Sequence, residues 1–152
     1  MPRSRASKRE IFLSHSSRDR AFVVRLARVL KQHNIRYWYS ATHIAGGQQW
    51  HDEIGEALAR CDWFIVVLTP NAVRSVWVKR ELVFALSQDR YNGRIIPILR
   101  KPCDYPRLSW ALPEFQLIDF TGNFEIGCRQ LLRVWNVNYT LPAIKPGRKT
   151  KA

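Results

Sequence analysis

Apolar positions along this chain switch repeatedly between short continuous runs and stretches that repeat at helical spacing. Glu10-Ile11-Phe12-Leu13-Ser14 reads as a short buried strand. Over 20–32, Phe22, Val23, Leu26, Val29 and Leu30 put one apolar stripe on a helix, with Ser17 or Asp19 placed to cap it. Residues 35–39 alternate with aromatics as a second strand, and 40–49 form a loop around Ala45-Gly46-Gly47, where adjacent glycines permit strained backbone. A helix carrying Trp50, Ile54, Ala57 and Leu58 follows. Trp63 to Leu68 is the longest unbroken apolar run, the pattern of a strand buried on both faces. Thr69-Pro70-Asn71 breaks it, and a helix over about 75–87 turns Val78, Leu82, Ala85 and Leu86 to the core. A fourth strand runs over 94–99, where Pro97 cannot donate to a ladder and so marks a position near an edge or a bulge. After a proline-rich connection, 116–120 is a short fifth strand and 124–137 a last helix.

Strands alternating with helices imply a parallel sheet with helices on both faces. The expected fold is α/β and flavodoxin-like: a three-layer sandwich around a central five-stranded parallel sheet. Ligands in such folds sit beyond the carboxyl ends of the strands. That edge gathers Ser14, His15, the 40–49 loop and residues 69–75. The third long helix opens there with Ser75-Val76-Trp77-Val78-Lys79-Arg80-Glu81-Leu82. Trp77 and Glu81 share one helical face, and a carboxylate beside an indole can bind a flat heterocycle carried on a sugar.

Composition narrows the classes. The 152 residues make one domain, and 46% hydrophobic content is ordinary for a globular chain. No apolar run approaches the roughly 20 residues of a membrane span, and no signal peptide is visible. Three widely spaced cysteines, Cys61, Cys103 and Cys128, argue for reduced thiols in cytoplasm rather than a zinc site or a disulfide framework. The four histidines, His15, His33, His43 and His51, lack metal-ligand spacing, and His33 reads as a solvated side chain at a helix end. Net charge is +13, but residues 10–144 carry 17 basic against 12 acidic groups. The excess sits in a flexible basic arm over 1–8 and a basic tail over 141–152, flanking a domain over 9–140. Solvated ends are the plainer reading, so a nucleic-acid partner is disfavoured. The chain has no glycine-rich phosphate loop and no Gly-x-Ser-x-Gly elbow. Ser14-His15 also stands where a response-regulator receiver would carry acidic residues.

Four blocks in order resemble the TIR (Toll/interleukin-1 receptor) domain family in its bacterial, standalone form. Glu10 through Asp19 is similar to the family's first box. Trp38-Tyr39 through Ile44, Gly46 and Trp50 to Leu58 resembles the BB loop and the helix after it. Residues 75–82 match Ser-x-x-Trp-x-x-x-Glu-Leu, and 116–120 resembles the third box. Ser40 replaces a usual acidic residue, and Ala45-Gly46 stands where Pro-Gly is common. Many bacterial and plant members cleave NAD+ at the nicotinamide–ribose bond, while many animal members are scaffolds. The resemblance therefore implies an NAD+ glycohydrolase or ADP-ribosyl cyclase with Glu81 catalytic and NAD+ as substrate rather than cofactor. It implies Ser14, His15, Ser75 and Trp77 around the substrate, and no metal. Ile44, Gly46, Gly47 and Trp50 are the implied assembly contacts of a homo-oligomer. A role in antiphage defence follows by the same analogy, with a separate effector sensing the product. The rival expectation is a non-catalytic scaffold acting by TIR–TIR contact. A third is a basic protein associated with nucleic acid.

Overall fold

A computed structural model describes residues 9–39 and 48–141, with the side chains of 48–51 left aside. Strand β1 spans Glu10–Ser14, helix α1 Arg20–Gln32, β2 Arg36–Trp38, α2 Gln48–Arg60 and β3 Trp63–Leu68. A short α3 over Pro70–Val73 and α4 over Val76–Leu86 precede β4 at Ile95–Leu99, β5 at Ile118–Asp119 and α5 at Phe124–Arg133. The strands pair in parallel in the order β2-β1-β3-β4-β5. The expected arm over 1–8, the loop residues Ile44, Gly46 and Gly47, and the tail from 142 lie outside the described residues, as does the side chain of Trp50.

Alternation along each strand sorts its side chains between two cores. Ile11, Leu13, Ile65, Val67 and Ile98 pack with Val23, Leu26 and Leu30 of α1 and Leu131 and Leu132 of α5. Phe12, Phe64, Val66 and Leu68 pack on the other face with Ile54 and Leu58 of α2 and Val78, Leu82 and Ala85 of α4. The sheet is thus the middle layer of the expected three-layer sandwich. Because both faces of β3 are covered, Phe64 through Leu68 are all buried, which is why that strand reads as an unbroken apolar run.

Strand β4 lies second from the edge. Arg94 C=O accepts from Phe64 of β3 and Leu99 C=O accepts from Phe120 beyond β5, so alternate residues of β4 address opposite neighbours. By that alternation Pro97 turns its missing N–H toward β5, which begins pairing only at Ile98↔Ile118. The proline therefore breaks no ladder bond.

Two asparagines stop helices. Asn34 and Asn136 both have φ of 60°, in the left-handed region that asparagine tolerates better than most residues. Ile35 N–H donates to Leu30 C=O at 2.9 Å, and Val137 N–H to Leu132 C=O at 3.0 Å, the six-to-one bond of a Schellman cap. The second cap ends the regular turns of α5 at Arg133 rather than at the expected Val137. His33 is not a solvated side chain. Its Nδ1 lies 2.8 Å from Val29 C=O, its Nε2 accepts the Thr140 backbone N–H at 3.0 Å, and its ring stacks on Tyr139. This pairing assigns the neutral tautomer protonated on Nδ1, and it fastens residues 139–140 to the end of α1.

Candidate active site

Ser14 closes β1 on the face that carries Phe12, so its hydroxyl projects toward the α4 layer. There Ser14 Oγ donates to Glu81 Oε1 at 2.6 Å. Helix α4 turns Val78, Glu81, Leu82 and Ala85 inward, a stripe at helical spacing in which Glu81 is the one charged member. Leu86, expected in that stripe, is only half-buried. Ser14 is wholly buried and Glu81 is 5% exposed.

A carboxylate withdrawn from water favours its neutral form. Burial pushes the Glu81 carboxyl up to about 7, while the Ser14 hydrogen bond, which favours the charged form, pulls the other way. Glu81 is therefore poised near neutrality, where a small change in its surroundings switches its charge. Removing the hydroxyl with Ser14→Ala is expected to move the Glu81 titration to still higher pH. Carbon-13 NMR of the side-chain carboxyl reads this directly, and an unmoved or lowered midpoint would remove Ser14 from the account. Among the described residues, Ser14 is the hydrogen-bond donor to this carboxylate, and Oε2 is left unengaged.

One helical turn before Glu81, the half-buried Trp77 lines a cleft of about 350 Å³ with Ser16, Ser17, Arg18, Asn71, Arg74 and Ser75. Its indole lies under the Arg80 guanidinium, 5.1 Å from the ring centroid. Ser75 lines the cleft too, but its hydroxyl accepts the Val78 N–H at 3.1 Å and caps α4. His15 is buried, with Nδ1 3.4 Å from Leu13 C=O and its ring edge-on to Tyr39 at 5.7 Å. Ser14, not His15, makes the described bond to the carboxylate.

Asp19 has a part that sequence reasoning missed. It stands at the N-cap position of α1 without a side-chain capping bond; Ser16 instead caps the preceding turn through Arg18 N–H. Thr69 Oγ1 donates to Asp19 Oδ2 at 2.6 Å, and Asn71 Nδ2 donates to Oδ1 at 3.3 Å. Those bonds pin the turn after β1 to the turn after β3, the two walls of the cleft. The available signal was that both polar turns follow strands and so meet at the same sheet edge. Among the described residues, no three His, Cys, Asp or Glu side chains gather to hold a metal, and no helix is long and apolar enough to cross a membrane.

A sequence model of the TIR domain matches residues 11–132. A 2′ cyclic ADP-D-ribose synthase of Bacteroides thetaiotaomicron is 28% identical over 94 residues, 60% of this chain and 33% of that protein. Another, of Acinetobacter baumannii, is 30% identical over 95 residues, 60% of this chain and 35% of that one. An NAD(+) hydrolase of a Theionarchaea archaeon is 31% identical over 88 residues, covering 57% and 27%. The chain thus spans about a third of the length of these curated relatives. Among solved structures, the TIR domain of a Toll-related receptor from Hydra magnipapillata has a TM-score of 0.67 at 23% identity, covering 82% of this chain and 96% of that one. The TIR domains of the activated Roq1 resistosome have a TM-score of 0.63 at 17% identity, covering 83% and 98%. These structural likenesses speak for the fold. The family match runs from β1 into the last turn of α5, through every strand of the sheet, and the chain belongs to the TIR domain family.

Proposed function

We propose that this domain cleaves NAD+ at the bond between nicotinamide and ribose. The products are nicotinamide and either ADP-ribose or a cyclised or conjugated ADP-ribose. The observation that carries the reading is Glu81, a buried carboxylate beside a cleft at the carboxyl edge of the sheet. Breaking the N-glycosidic bond develops positive charge on the ribose, as in glycoside hydrolysis. A preorganised carboxylate out of water offsets that charge far better than a solvated one. Oε2 is the atom that would meet the ribose hydroxyls. Nicotinamide leaves from a cationic ring, so the bond breaks without a strong general acid. The cationic nicotinamide ring of the substrate favours the charged form of Glu81, so bound NAD+ is expected to draw its pKa below about 7.

Trp77 walls the same site, its indole packed under the Arg80 guanidinium. The names of the relatives, synthases of cyclic ADP-ribose and an NAD(+) hydrolase, support NAD+ as substrate. What captures the ribosyl cation then decides the product: water gives ADP-ribose, and an internal hydroxyl gives a cyclic one. By resemblance to standalone bacterial TIR proteins, the reading extends to a cytoplasmic signalling role in antiphage defence. It includes assembly of several copies through Ile44, Gly46, Gly47 and Trp50, and a separate effector for the product. The assembled TIR domains of the Roq1 resistosome support the part about assembly. Product analysis of the purified protein with NAD+, at low and high protein concentration, tests the reading. Nicotinamide release that rises faster than protein concentration is the expected result. Absence of release at every concentration would favour the scaffold.

A further inference from the structure

The cleft beside Trp77 holds two cations that the bond-breaking chemistry does not use. Arg18 follows β1, Arg74 follows α3, and both line the cleft with exposed guanidinium groups. Neither takes part in an ion pair among the described residues. Arg74 Nη2 reaches only the neutral Asn71 Oδ1, at 3.4 Å. No carboxylate lines the cleft. Asp19, next to Arg18 in the chain, is held by Thr69 and Asn71. Two like charges facing one cavity repel unless an anion joins them, and a planar guanidinium fork is suited to phosphate oxygens. The remaining lining adds the hydroxyls of Ser16 and Ser17 and the Asn71 amide. Helix α4 also opens at this wall, with its positive end toward the cleft.

From this we infer that Arg18 and Arg74 form the diphosphate subsite of the substrate, so that the protein selects a dinucleotide over an unphosphorylated nucleoside. The inference rests on the NAD+-cleaving reading above and extends it. Trp77 precedes Glu81 by one turn, about 6 Å along the helix axis. Ser16 follows Ser14 by two residues. With the nicotinamide ribose on Glu81 and its 5′ side turned to the cleft, the diphosphate is the next group along and meets Arg18 and Arg74. At about 350 Å³ the cleft is small for a whole dinucleotide, but it suits a diphosphate with part of a sugar.

The test pairs binding with turnover, using wild type and the double variant Arg18→Gln/Arg74→Gln. Both side chains are exposed, and matched thermal unfolding verifies that the variant folds. Calorimetry with ADP-ribose and with inorganic pyrophosphate is expected to show binding to wild type that weakens with salt. In the double variant that binding is expected to fall about tenfold or more. In steady-state assays, kcat/KM for NAD+ is expected to fall about tenfold further than kcat/KM for nicotinamide riboside, which carries no phosphate. Equal binding of pyrophosphate and ADP-ribose by variant and wild type, or no binding of either by wild type, overturns the subsite. If NAD+ is cleaved but the variant is unaffected, the subsite fails and the enzymatic reading stands. If pyrophosphate binding is lost in the variant while NAD+ is never cleaved, the anion site stands and the enzymatic reading fails.

Discussion

Glu81→Gln is expected to end nicotinamide release and, at the same time, to stabilise the domain above neutral pH. On activity, the amide cannot offset the charge that develops on the ribose, and losing such a preorganised group costs roughly 10³-fold in turnover. On stability, the carboxyl ordinarily titrates at 4.5 and is raised to about 7 in the fold. The protonated form is thus the one the fold favours. Its advantage is fully present below pH 4.5 and is lost as pH rises through about 7, where the folded protein must bury a charge. That cost amounts to about 3 kcal/mol at pH 8. The neutral amide avoids it and still presents an oxygen to the Ser14 hydroxyl. The variant is therefore expected to match wild type near pH 4 and to melt roughly 5–10 °C higher at pH 8. Thermal unfolding across that range, alongside nicotinamide release, measures both effects. A variant less stable than wild type at pH 8 would show that the carboxylate is not held at a cost. Retained turnover would remove Glu81 from the chemistry.

Gly127→Ala should destabilise the fold although it lies far from the site and changes one methyl group. A Cβ on Gly127 would stand 2.6, 2.7 and 2.8 Å from three ring atoms of Phe120. Phe120 is wholly buried and packs edge-on against Phe22 and Phe124, so its ring has nowhere to go. Overpacking of this kind costs about 1–3 kcal/mol or more, which outweighs the ~1 kcal/mol that alanine contributes over glycine inside a helix. A fall of about 4–8 °C in melting temperature is expected. Gly55→Ala on the exposed side of α2 is the internal contrast: a Cβ there meets nothing within 4 Å, and only the helical gain remains. Equal melting of the two variants would mean that α5 can shift off Phe120 at little cost.

Much of the fold was legible because its causes are local. The continuous run of β3 and the stripe of α1 each arise from neighbours within a few residues. The spacing of Trp77 and Glu81 was legible for the same reason. The depth of Glu81 was not. Flanked by Lys79 and Arg80, it resembles an ordinary surface carboxylate, and only its place three residues after Val78 and one before Leu82 puts it within the buried stripe. His33 was misjudged because its two partners, Tyr139 and Thr140, come from the far end of the chain.

Hydrophobic period, turn chemistry and the Ser-x-x-Trp-x-x-x-Glu block thus determined the element order and the parallel sheet, and singled out Glu81 as the residue proposed for the chemistry. Tertiary structure alone decided that Ser14 donates to Glu81 across 67 residues, and that Asp19 ties the turns after β1 and β3 across 50 and 52. It also decided that Arg18 and Arg74 face one cleft. Periodicity tells a side chain which face of its own element it occupies. Which residue stands opposite depends on the parallel register of β1 with β3 and on the crossover that lays α4 against their carboxyl ends, and neither is written in any local stretch of the chain.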